Sequence, residues 1–137
     1  MYTNAHSSVG ALIVLALPHN IPLALGLAFL SHIPLDFINE SGYSTPTRTK
    51  IIEGGFLLSL IIIAMLTHNY WILFGAVSAN LMDIVDKTLQ THRHKAIFPC
   101  HTIWEGKFIY QLGPKTQMIV QLALAKLVIF ACLVSKI

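Results

Sequence analysis

Two pairs of polar residues in this apolar chain have spacings that suit ligand chemistry. His32 and Asp36 stand four apart in "SHIPLD", and Asp83 and Asp86 stand three apart in "LMDIVDK". On a helix either spacing puts both side chains on one face. Imidazole and carboxylate together bind zinc, manganese or iron, and three or four such ligands around an open position turn a water into a nucleophile. Two metals could clamp both the attacking and the leaving oxygen of a phosphoester or ester. Thiolate ligation has no support, because Cys100 and Cys132 are far apart and form no CxxC pair.

The elements that must carry these residues are apolar helices. Of 137 residues, 55% are hydrophobic and 11% charged, against about a quarter charged in an ordinary soluble domain. The composition predicts an all-α integral membrane bundle of four to five transmembrane segments, folded as one domain over residues 1–137. Apolar stretches run over 7–17, 21–38, 51–67, 70–85 and 116–134. Pro18 and Pro22 around His19 and Asn20 predict a tight helical hairpin, and "THNY" at 67–70 predicts another. The N-terminus has no basic stretch ahead of its apolar run, so it reads as retained structure and not as a signal peptide.

Five crossings would sort the loops. Arg48, Lys50, Lys87, Arg93, Lys95, Lys107 and Lys115 fall on one side, which the positive-inside rule makes cytoplasmic, together with the N-terminus. The expected location is a multi-pass protein of an inner or plasma membrane. His6, His32, Asp36, Glu53, Asp83 and Asp86 then converge at that face, followed by His92, His94 and His101 in a long loop. Taken singly, the acids also suit ordinary helix ends paired with Lys50 or Lys87; their common depth is what argues for a site. Lys126, inside the last segment, is expected to face the bundle, pair with an acid or snorkel. His19 and His68 read as turn residues.

At this point four short stretches resemble motifs of the membrane-bound metal-dependent hydrolases typified by YdjM. "AHSSVG" resembles their opening histidine-x-x-x-glycine element, and "SHIPLD" their serine-histidine-leucine-leucine-aspartate element. "NLMDIVDK" is similar to their proline-aspartate-x-x-aspartate stretch, and "HRHKAIFPCHT" to their histidine-arginine-glycine-x-threonine-histidine-serine motif. Met82, Lys87 and His94 depart from that pattern, and "SHIPLD" precedes the aspartate pair where the family has it following. The resemblance implies His6, His32, Asp36, Asp83, Asp86 and His101 as metal ligands, with His92 or His94 and Arg93 in support.

Two functions follow as expectations. The first is a hydrolase using a divalent metal, zinc or manganese, on a lipid or lipid-linked phosphoester at the cytoplasmic leaflet. Glu53 or Glu105 would be its general base, and Arg93 with Lys95 would hold the anionic group. The second is a small non-enzymatic multi-pass subunit or carrier binding haem or metal, with His6 and His32 as the haem ligands. A serine hydrolase around Ser7 and Ser8 lacks a G-x-S-x-G element. The expected partners are membrane lipid and either a second copy or a membrane complex. Nucleic acid is not among them, since the basic residues are scattered and form no patch.

Overall fold

The computed structural model describes residues 3–36, 46–93, 98 and 114–134. They form seven helices: α1 (Thr3–Ala16), α2 (Ile21–Leu30), α3 (His32–Asp36), α4 (Pro46–Thr67), α5 (Trp71–Ala79), α6 (Leu81–Arg93) and α7 (Pro114–Val134). All described secondary structure is helical, as the apolar pattern predicts. His94, Cys100, His101 and Glu105 lie outside the described residues, and Arg93 ends α6.

Local chemistry sets the helix ends. The Asn20 side chain caps α2 by accepting from the Leu23 N–H at 3.3 Å, one of the donors a helix start leaves without a partner. Helices α4 and α7 each begin on a proline, whose missing N–H costs nothing at that position. The 67–70 turn reverses through His68, which takes a left-handed φ of 54°. His19 and His68 are exposed turn residues.

Two of the five apolar stretches are broken, and both breaks lie beside candidate ligands. Segment 21–38 divides at Ser31, whose hydroxyl donates to the Ala28 carbonyl at 2.7 Å. Pro34 follows and withholds a backbone donor there. Segment 70–85 divides at Asn80, which leaves helical geometry at φ −99° and ψ 2°. Asn80 Nδ2 donates to the Ala76 carbonyl at 2.7 Å and to Ser7 Oγ at 2.9 Å, so the break is tied to α1.

These breaks correct the expected multi-pass membrane location and the transmembrane segments that went with it. Among the described residues, no helix is long and apolar enough to cross a membrane. Helix α1 has 14 residues, α2 has 10 and α5 has 9; at 1.5 Å per residue they reach only about 14 to 21 Å, against roughly 30 Å of hydrocarbon. The two longer helices are interrupted by polar residues: Arg48, Lys50 and Glu53 in α4, and Lys115, Gln117, Gln121 and Lys126 in α7. Hydropathy summed over a stretch ignores whether the helix runs on through it. Lys126 is exposed and does not point into the bundle.

The core joins α1, α4, α5 and α7 through Ala11, Leu60, Ile72, Ala76, Val128 and Cys132. Burial raises the Cys132 thiol pKa, so this cysteine packs as a small apolar side chain. Helices α1 and α5 cross in close contact at Gly10 and Gly75. A Cβ built on Gly10 would meet Ala79 Cβ at 2.8 Å, and the Gly75 carbonyl closer still. Only glycine at both positions lets the two backbones touch. Ser78 on α5 also donates to the Leu25 carbonyl of α2 at 2.8 Å. Helix α5 thus holds α1 and α2 together; α1 brings in His6, and α3, which follows α2, brings in His32.

Candidate metal centre

His6 enters from α1, His32 and Asp36 from α3, and Asp83 from the first turn of α6. Both histidines are fully buried. His6, His32 and Asp36 each offer a ligand atom, and these atoms lie within 4.8 Å of one another. His6 Nε2 is 3.3 Å from Asp36 Oδ1, and His32 Nε2 is 3.0 Å from Asp36 Oδ2. Asp83 Oδ1 adds a further oxygen at 3.6 Å from His32 Nε2. Metal–ligand bonds near 2.1 Å in a tetrahedron separate the donor atoms by about 3.4 Å. The observed spacings fall around that value.

The site also orients its ligands. His32 Nδ1 lies 2.7 Å from the Ala79 carbonyl; a carbonyl only accepts, so Nδ1 carries a proton, and Nε2, which faces the carboxylates, is the nitrogen open to a metal once its own proton is lost. Metal-binding histidines are characteristically held this way by a partner on the second nitrogen. Ala79 ends α5, and the last carbonyls of a helix have no intrahelical partner. The break at Asn80 thus has a direct use. His6 makes no hydrogen bond through either ring nitrogen, its contact with Asp36 being out of line for one. Burying a polar ring without partners is costly, and a metal ion bound at the ring would remove that cost. A divalent cation could be held here.

Burial and charge divide the two imidazoles. Burial is the main influence on His6 and holds its pKa below the ordinary 6.5, against the pull of Asp36. Burial opposes charge on His32 too, but there the hydrogen-bonded Asp36 carboxylate, with the Ala79 carbonyl and Asp83, outweighs it and raises the pKa. Burial of Asp36 is likewise overcome by His32 and His6, which hold its carboxyl far below the usual range. Burial thus favours a neutral His6, while the neighbouring acceptors favour a protonated His32 paired with the Asp36 carboxylate.

The sign of each contribution to stability follows from linkage. His32 stabilises fully below its unfolded value of about 6.5, and its contribution is lost as pH rises through its raised folded value. His6 and Asp36 stabilise above their unfolded values, about 6.5 and 3.9, and lose this as pH falls through their lowered folded values. Metal binding requires His32 to give up its proton. Zinc is therefore expected to raise the melting temperature more at pH 8 than at pH 5.5. Metal at about 100 times its Kd stabilises by roughly 2.7 kcal/mol, or on the order of 10 °C here. Thermal melts with and without zinc at the two pH values check this, and an equal or larger shift at pH 5.5 would count against the triad as ligands.

The other expected site residues fall elsewhere. Asp86 is buried, and its Oδ2 accepts from the Phe98 N–H at 3.4 Å, so it anchors the chain beyond α6. Glu53 is half-buried on α4 and is not among the mutually close donors. The His6 and His32 rings stack with centroids 4.2 Å apart; a macrocycle cannot lie between them, which argues against shared haem ligation. Sequence reasoning missed Ala79 and the tie between Ser7 and Asn80; the available signal is that Ser78 and Asn80 are polar residues inside the apolar stretch 70–85.

Comparison with protein-family models, with curated proteins and with solved structures finds no match. The geometry therefore carries the functional reading.

Proposed function

We propose that this protein is a metal-dependent hydrolase of phosphoesters, with zinc or manganese held by His6, His32 and Asp36. The observation that carries this reading is the close approach of the three ligand atoms, with a partly exposed carboxylate, Asp83, beside them. Two histidines, one carboxylate and an open position make a donor set common in hydrolytic metal sites. His6, His32 and Asp36 carry two of the stretches that resemble YdjM-type hydrolases, and Asp83 carries a third.

A bound divalent ion polarises a phosphoryl oxygen and lowers the pKa of water. The remaining work belongs to the chain. The Ala79 carbonyl keeps His32 in one orientation, and Asp36 stands against both imidazoles, 3.3 Å from His6 and 3.0 Å from His32. Asp83 is the better general base than Glu53, since it stands 3.6 Å from a ligand atom and its side chain retains solvent access. It receives a proton from the attacking water and returns it to the leaving oxygen as the bond from phosphorus to that oxygen breaks, giving an alcohol and inorganic phosphate.

The test is turnover of 4-nitrophenyl phosphate by chelator-stripped protein reloaded with zinc or manganese. Activity is expected only after reloading. Asp83→Asn should retain metal by elemental analysis yet lose about 100-fold or more in kcat, the usual range for a general base. Metal-loaded wild type without turnover, or an Asp83→Asn variant with full kcat, overturns the reading.

A further inference from the structure

A groove of about 400 Å³ runs beside the triad between α4, α5 and α6. That volume lies within the roughly 300–1,000 Å³ of small-molecule sites. Its walls are apolar, built by Leu57 and Ile61 of α4, Leu73 and Val77 of α5, and Ile84 of α6. Its two charged lining residues, Asp83 and Lys87, both belong to α6 and stand one helical turn apart. Asp83 lines the groove and also stands at the triad, 3.6 Å from His32 Nε2. The apolar channel and the ligand cluster thus meet at one carboxylate, next to an exposed lysine.

We infer that this groove receives the alkyl chain of a single-chain phosphomonoester, whose phosphate lies at Lys87 and the triad. Two features select this occupant. The walls offer an extended chain apolar surface and almost no hydrogen-bonding groups, so a polar substrate body would lose its hydration without compensation. The charged end is matched to an anion: Lys87 carries positive charge, and a divalent ion at the triad would outweigh Asp83. The inference rests on the hydrolase reading and extends it to a substrate class. The reaction converts an alkyl phosphate and water into a long-chain alcohol and inorganic phosphate.

Alkyl phosphonates separate binding from turnover, because their carbon–phosphorus bond is not hydrolysed. Butyl-, octyl- and dodecylphosphonate are titrated calorimetrically into zinc-loaded protein below their micelle concentrations. Kd is expected to fall about two- to fourfold per added methylene, following the transfer of each from water to an apolar wall. Val77 and Ile61 are 53% and 37% exposed, so Val77→Trp and Ile61→Trp fill the groove without entering the core. Each should weaken dodecylphosphonate at least tenfold and flatten the length series. Lys87→Gln should weaken all lengths alike, with Lys87→Arg restoring binding.

A Kd independent of chain length, or full-strength dodecylphosphonate binding by Val77→Trp, overturns the inference. Turnover of butyl and dodecyl phosphate is followed in parallel by phosphate release. Length-dependent binding without turnover supports the groove's occupant and removes the hydrolase reading. Equal kcat/KM for the two substrates, with flat binding, keeps the hydrolase and rejects the alkyl chain.

Discussion

Asp36→Ala is expected to abolish high-affinity metal binding and to destabilise the metal-free protein by about 3–5 kcal/mol, the usual cost of removing one partner of a buried charge pair. Asp36 meets both buried imidazoles, at 3.3 Å and 3.0 Å, and its own side chain is only 15% exposed. Its loss leaves His32 without the carboxylate that most raises its pKa and leaves His6 without its carboxylate neighbour in the triad. Outer partners of metal ligands are worth 10- to 100-fold in affinity, so a direct ligand should cost at least about 100-fold. Zinc titration calorimetry and urea unfolding measure the two effects separately. Undiminished zinc affinity in Asp36→Ala would show that the ion, if bound, sits elsewhere.

Gly75→Val is the second large effect, and it acts without touching a ligand. A Cβ at Gly75 would come within 2.7 Å of Val14 Cγ2 and closer still to the Gly10 carbonyl. Overpacking typically costs 1–3 kcal/mol. Here the obstacle is backbone, which cannot rotate aside, so a cost of about 3 kcal/mol or more is expected. Helix α1 must move off α5, carrying His6 away from a triad whose His32 is tied to α5 through Ala79. Zinc affinity should therefore fall together with stability. Gly26→Ala is the control: nothing lies within 4 Å of a Cβ at that helical position, and the substitution should stabilise by a few tenths to about 1 kcal/mol. If Gly75→Val melts and binds zinc like wild type, the close crossing is not what assembles the site.

Much of the site is legible before any coordinates. His32 and Asp36 share a helical face because four residues make slightly more than one turn, and the structure joins them at 3.0 Å. For Asp86 the same reasoning does not supply the partner. Three residues after Asp83, it falls on an adjacent strip of α6, and its carboxylate is taken by the Phe98 N–H. Periodicity groups residues on a face but does not say which neighbour that face meets. The membrane-spanning expectation fails for a related reason. Apolar composition over 21–38 and 70–85 is the same whether the helix is continuous or broken, and Ser31 and Asn80 break it.

What the residue order established is local: helical periodicity, the turns around His19 and Asn20 and at 67–70, and pairing of a histidine with an aspartate one turn away. Each depends on atoms within about four residues of one another, so the pattern of types is enough to specify it. The assembled centre depends on contacts of another kind. His32 finds the Ala79 carbonyl across 47 residues of chain, and Asn80 finds Ser7 across 73. Such contacts exist only because two glycines let α1 and α5 touch and because a broken α5 exposes its last carbonyl. They arise from the fit of surfaces brought together by folding, which no local spacing encodes.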